Sequence, residues 1–156
     1  MIRSFLIGLV AGQRGIAPLA AIATATRRHD IPANLPLQKL LLDPVVAGGT
    51  ALFAAAEMAG DKMKTAPDRI VPIGLAVRSV SAAYAGAALA PRDQRLLGAT
   101  VAVAAALASS YLGWRLRCAA MKRYGQTTTG FVEDTIVMGS GLAVASARRT
   151  KTPLAA

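Results

Sequence analysis

Two arginines stand where permanent cations are costly. Arg14 lies at the centre of the apolar run Phe5–Ala23, and Arg78 lies near the middle of Ile70–Ala90. Four carboxylates accompany them. Glu57 sits close to the end of the run Pro44–Ala59, Asp61 follows one helical turn later, and Glu133 and Asp134 open the run Phe131–Ala147. A guanidinium offers a rigid fork of donors that matches a carboxylate or a phosphate. At the centre of a bilayer it costs at least about 2.5–3.5 kcal/mol on insertion scales. Both arginines should therefore face a helix-bundle interior and find partners there. The pairs expected are Arg14 with Glu57 or Glu133, and Arg78 with Asp61 or Asp134. Glu57 and Asp61, four residues apart, share a helix face.

Such charges support three kinds of chemistry. They can lock a small bundle through structural ion pairs. They can line a polar vestibule for an anionic or zwitterionic solute or a lipid headgroup, with Arg14 and Arg78 at its inner end. Glu57, Asp61, Lys62, Arg69, Glu133 and Asp134 would then stand at its mouth. Finally, Glu57, Asp61, Glu133 and Asp134 are hard oxygen donors of the type that holds Mg²⁺. The chain has no Asp-rich metal motif, nucleophile elbow or Ser/Lys pair. No catalytic residue, metal site or cofactor is read from it.

The elements that must position these charges come next. The chain has 156 residues, 54% of them hydrophobic and 4% aromatic, with a mean hydropathy of +0.44. The apolar residues fall into the runs Phe5–Ala23, Pro44–Ala59, Ile70–Ala90, Leu96–Leu112 and Phe131–Ala147. A membrane span needs roughly 20 mainly apolar residues, with about 17 tolerated. A soluble helical bundle would need a polar face on each helix. The stretches "GATVAVAAALASSYLGW" and "SVSAAYAGAALA" carry no charge at all. The reading is an all-α, polytopic transmembrane helical bundle of four or five spans, one domain over residues 1–147 with a polar tail at 148–156.

The net charge of +10 would suggest nucleic acid in a soluble protein. Here the cations lie in the breaks between apolar runs, as in Arg27–Arg28, Lys62 with Lys64, Arg92 with Arg95, Lys122–Arg123 and Arg148–Arg149. That is the pattern of helix flanks facing anionic headgroups, so membrane lipids are the expected partners and nucleic acid is not. Cys118 and His29 are each single, which excludes an internal disulfide and a His/Cys metal site. Arg14 interrupts what would be a signal-peptide core, so the first run is read as a retained span.

The breaks "RRHDIPANLPLQK" and "GDKMKTAPDRIVP" contain prolines that stop a helix, and "PRDQR" reads as a tight turn. "RLRCAAMKRYGQTTTG" reads as the longest polar exit. Gly8 with Gly12, Ala82 with Gly86, Gly139 with Ala143, and Gly141 with Ala145 repeat at four-residue spacing, which lets helix backbones approach, so close packing of all five spans is expected. With five alternating spans the flanking cations are equal on the two sides, so the positive-inside rule assigns no orientation, and insertion both ways would allow an antiparallel homo-oligomer.

The motifs "GQRGIAP", "EMAGDKMKTAPDR", "GLAVRSVSAAYAGA", "GWRLR" and "FVEDTIVMGSG", in that order, resemble a family of small bacterial membrane proteins, domain of unknown function family 4126. The resemblance runs from Ile7 to about Ala145. It implies a multi-pass protein of the bacterial cytoplasmic membrane. It matches Arg14, Glu57, Asp61, Lys62, Arg69, Arg78 and Asp134 to recurring polar positions and supplies no activity. The functional expectation is a transporter-like protein that binds a solute or lipid headgroup. The alternative is a structural or partner-binding membrane protein whose ion pairs serve assembly.

Overall fold

The computed structural model describes residues 1–31, 38–60 and 70–147. Asp61, Lys62, Arg69 and the tail 148–156 lie outside the described residues. The protein is all-α, with no strand among the described residues. Its helices are α1 (Ile2–Gln13), α2 (Ala17–Arg27), α3 (Gln38–Leu42), α4 (Pro44–Gly60), α5 (Pro72–Leu89), α6 (Arg95–Tyr124) and α7 (Gln126–Ser146). A short 3-10 turn, Arg92–Gln94, leads into α6.

The first apolar run is two helices, not the single span its composition suggests. Arg14 ends α1 in an extended conformation, φ −139° and ψ 117°. Pro18 then sits in the first turn of α2. Proline has no N–H to give to the Arg14 carbonyl and its ring clashes with that turn, so a continuous helix is strongly disfavoured here.

The helix directions follow from which residues meet. Along α1, the Ser4 hydroxyl donates to the Gly86 carbonyl at 2.9 Å, Gly8 faces Ala102, and Gly12 faces Ala106 and Ser109. α1 therefore runs parallel to α6 and antiparallel to α5. Then the chain turns back. Gly141 of α7 is met by Val10 from α1 and by Ala21 from α2. Asp134, about 10 Å away along α7 at helical rise, is held by Arg14. α2 thus returns toward the end where α1 began, and α7 lies in the crotch of the hairpin.

This reversal changes the ordering of the whole chain. The start of α1 lies beside the end of α7, where the Arg3 guanidinium donates to the carbonyls of Val144 and Ala145 at 3.1 and 2.9 Å. These are orphan carbonyls of a helix C-terminus, and a cation is favoured there. The turn between α5 and α6 lies at the same end, here the Pro91 end. The junction of α6 and α7 marks the opposite, Gly125 end. Arg3 accordingly shares an end with Arg92 and Arg95, where five-span alternation would separate them.

The stretch expected as a polar exit is helical up to Tyr124, and α7 begins at Gln126. Arg, Leu, Ala, Met and Lys are strong helix formers, and charge does not end a helix. Gly125 does, with φ 80°, a conformation that glycine adopts without a Cβ penalty.

The interior is made of small and polar residues, and the outside is apolar. Ser4, Ser81, Ser110, Arg14, Arg78 and Asp134 are buried, while Val45, Leu52, Ile73, Val80 and Ile136 are more than 60% exposed. The hydroxyls of Ser109 and Ser110 donate to the carbonyls of Leu9 and Gly12, each at 3.0 Å. α1, α5 and α6 form the tightest unit because Gly8, Gly12, Gly86 and Gly98 bring backbones together. α4 is peripheral, with Ala54 as its buried residue, so packing is not equally close in every helix.

Among the described residues one helix is long and apolar enough to cross a membrane alone, Arg92–Tyr124, in which an 18-residue stretch has mean hydropathy 1.7. α4 is shorter, at 17 residues. α5 carries Arg78, and α7 carries Glu133 and Asp134.

A Cβ at Gly8 would overlap the Ala102 backbone, whereas one at Gly139 meets open space. Gly8→Ala should lower stability by about 1–3 kcal/mol through overpacking. Gly139→Ala should be neutral or stabilising by up to about 1 kcal/mol. Thermal melting of the purified variants checks the contrast, and equal melting temperatures would contradict it.

Candidate functional site: the tip of the α1–α2 hairpin and the groove beside it

The bend at Arg14, Gly15 and Ile16 exposes backbone donors inside the bundle. Glu57, near the end of α4, receives them. Its Oε1 accepts from the Gly15 N–H at 2.7 Å and its Oε2 from the Ile16 N–H at 3.0 Å. A helix N-terminus favours an anion through its free N–H groups and its dipole. Glu57 supplies that anion from within the chain. A Cβ on Gly15 would stand 3.3–3.4 Å from Val77, Arg78 and Glu57, so the bend has room for little more than glycine.

Arg14 turns the other way, toward α7. Its Nε donates to Asp134 Oδ1 at 2.9 Å, and its Nη2 donates to the same oxygen. Arg14 is 1% exposed. Removing two charges from water costs several kcal/mol per ion, which only close pairing and further hydrogen bonds offset. Asp134 is a carboxylate partner that helps Arg14 to be buried. The expected pairing with Glu57 is not formed, because both oxygens of Glu57 are engaged by the α2 backbone.

Arg78 is buried, and its stem borders Gly15. Arg78, Arg14, Glu57 and Asp134 thus converge on the tip as anticipated. The suggested Asp61 partner falls outside the described residues. Glu133 accepts from Arg117 Nη1 at 2.9 Å, linking α6 to α7. Arg14, Arg78 and Arg117 are matched in number by Glu57, Glu133 and Asp134, so the described tip is balanced in formal charge.

Beside the tip, α6 and α7 diverge from Gly125 and leave a groove of about 590 Å³. Gly113, Leu116, Ala120 and Tyr124 form one wall, and Val132 and Ile136 part of the other. Gln13 closes the inner end. Its Nε2 donates to the Ser109 carbonyl at 2.8 Å, and its side chain occupies the space above Gly113. Arg117 and Glu133 are also in the lining. Arg14 is not. The groove reaches its chain neighbour and stops there.

Gln13, Gly15 and Arg117 were not among the site residues read from the sequence. Pro18 gives the signal for the bend, since it removes the hydrogen bond that would carry a helix past Arg14. The signal for the Arg117–Glu133 pair is their equal distance from Gly125. Two helices folded back at that glycine bring them opposite each other.

In comparisons with protein-family models, curated proteins and solved structures, nothing matches the chain.

Asp134→Asn removes a carboxylate from the buried Arg14 and should cost about 3–5 kcal/mol. Glu57→Gln keeps one good acceptor and should cost about 1–3 kcal/mol. The double variant Arg14→Met, Asp134→Leu should recover most of the loss, since a buried pair can be replaced by packed apolar groups. Melting of the set reads this order. A harmless Asp134→Asn would remove the ion pair from its assigned role.

Proposed function

We propose that the chain is a multi-pass protein of a bacterial cytoplasmic membrane. In this reading α4 to α7 cross the bilayer and the α1–α2 hairpin is re-entrant, so four helices cross. It binds a small anionic or zwitterionic solute or a lipid headgroup, in the manner of a transporter, at the groove beside the hairpin tip. The resemblance to the family of unknown function supports the membrane setting. So does the inverted distribution of polarity, with serines and ion pairs inside and large aliphatic side chains outside. Interfaces of small residues with serine-to-carbonyl bonds suit a lipid solvent, where apolar burial alone drives little association.

The observation that carries the binding reading is the bend itself. Non-helical backbone at membrane depth is tolerated where protein buries it or where it lines a cavity. The Arg14–Ile16 bend has both settings. Glu57 and Asp134 bury one side of it, and Gln13 presents the other side to the groove. Gln13, Arg117 and Glu133 are then the groups a ligand meets. Arg14, Glu57, Arg78 and Asp134 hold the tip in place.

The assembly-only reading draws on a different observation, the near-complete burial of Arg14 against Asp134. The two readings separate in one experiment. Purified protein is melted with phosphate, acetate, glycine or phosphocholine. Binding predicts a rise of a few degrees with at least one probe, abolished in Gln13→Leu and in Arg117→Gln, Glu133→Gln. No rise with any probe, together with normal melting of those variants, favours assembly.

The re-entrant hairpin has its own test. In a Cys118→Ser background, single cysteines at Ile2, Arg28 and Arg92 should react with an impermeant thiol reagent from one side of the membrane. One at Gln126 should react from the other. Labelling of Ile2 and Arg28 from opposite sides would restore a continuous first span.

A further inference from the structure

We infer that the Arg117–Glu133 pair in the groove binds the zwitterionic head of an α-amino acid whose side chain is apolar. The inference rests on the solute-binding reading above and gives that solute a chemical class.

The first argument is charge. Arg117 and Glu133 both line the groove, and Arg117 Nη1 donates to Glu133 Oε2 at 2.9 Å. A simple anion at Arg117 would set a second negative charge beside Glu133, and a simple cation would do the same to Arg117. Like charges in a cleft of low dielectric repel strongly. A zwitterion adds no net charge. Its carboxylate faces the guanidinium while its ammonium faces the carboxylate of Glu133, so every charge keeps an opposite neighbour.

The second argument is spacing. The two charges of the pair are adjacent, so the ligand that matches them carries its own two charges side by side. An α-amino acid does so, with both groups on one carbon. In phosphocholine the charges are held apart by an ethylene linker, and the quaternary nitrogen has no N–H to donate.

The third argument is the shape beyond the pair. One turn inward, Gly113 of α6 faces the level of Ile136 and Val137 of α7, and Leu116 borders the same space. Gln13 closes it. The recess from Arg117 to Gly113 is about 6 Å deep along α6. It is walled by apolar groups and suits a side chain of the size of leucine's. The whole groove, at about 590 Å³, falls within the range of about 300–1,000 Å³ usual for small-molecule sites, which are mostly apolar with a few polar groups that orient the ligand.

The position of the pair allows such a solute to arrive from water. Val77 and Arg78 of α5 stand beside Gly15, and α5 begins at Pro72, about 8 Å further toward the Gly125 end. α4 ends at Gly60, three residues past Glu57. Arg117, about 6 Å beyond Gly113, is therefore level with the ends of these two helices. Arg115, Lys122 and Arg123 are exposed at or above this level, as cations at a membrane boundary are. The mouth of the groove, near Tyr124 and Thr128, stands beyond the ends of α4 and α5.

The test is calorimetric titration of the purified protein with L-leucine and with three relatives that each lack one part of it. The compound 4-methylpentanoate lacks the ammonium, 3-methylbutylamine lacks the carboxylate, and glycine lacks the side chain. Leucine is expected to bind about tenfold or more tighter than each of the three. Glu133→Gln removes the partner of the ammonium and the charge that repels an anion. In that variant leucine should weaken and 4-methylpentanoate should tighten, reversing their order, whereas loss of a purely structural pair would move both alike. Ile136→Trp fills the recess from an exposed position and should weaken leucine while sparing glycine. Binding of 4-methylpentanoate as tight as that of leucine to the unmodified protein would overturn the inference and leave the groove a site for anions. Binding of phosphate or phosphocholine without leucine would overturn it as well, again with the solute reading intact. Binding of none of these probes would overturn the inference and the solute reading together. Should Glu133→Gln fail to fold, the order of the four ligands on the unmodified protein still decides.

Discussion

Everything in this molecule turns on how a backbone bend is kept inside an apolar bundle. A bend at Arg14–Ile16 releases N–H groups that have no helical partner, and it sits beside a permanent cation. Glu57 accepts from the Gly15 and Ile16 N–H groups, and Asp134 accepts from the Arg14 guanidinium. Each carboxylate answers a different debt of the bend. Without Glu57 the start of α2 would be an unsatisfied helix terminus. Without Asp134 the buried cation would lose a carboxylate that accepts from two of its nitrogens.

The hairpin in turn sets the rest of the architecture. Because α2 returns toward the start of α1, α1 and α2 embrace α7, and Gly141 is small enough to sit between Val10 and Ala21. α1 can then pack deeply on α6 and α5 through glycines and serine hydroxyls, while α4 stays outside and contributes chiefly Glu57. α6 and α7 are joined at Gly125 and linked by the Arg117–Glu133 pair, with Gln13 at the inner end of the groove between them. The groove exists because the hairpin tip wedges them open.

Much of this was legible in the sequence. The runs Pro44–Ala59 and Ile70–Ala90 coincide closely with α4 and α5, since prolines at Pro44 and Pro72 fix their starts. The convergence of Arg14, Arg78, Glu57 and Asp134 was also legible, because buried charges must meet. The partner of each was not. Glu57 and Asp134 are chemically alike, and only the position of the bend decides which one faces backbone N–H groups. Hydropathy hid the bend, because a hairpin of two short apolar helices has the same composition as one long one. The helical continuation to Tyr124 was hidden for the opposite reason: "RLRCAAMKRY" looks like a loop by charge and is a good helix by propensity.

The contacts of the first helices also carry a consequence for biogenesis. Chains emerge from the ribosome N-terminus first, so a contact with a later segment waits until that segment is made. Arg14 is separated from Asp134 by 120 residues, and Arg3 from the carbonyls it caps by more than 140. The hairpin is thus made before the helix that fastens it. Until α7 is in place, the Asp134 carboxylate is not there to receive the Arg14 guanidinium. Docking of the hairpin against α7 therefore waits for the synthesis of α7.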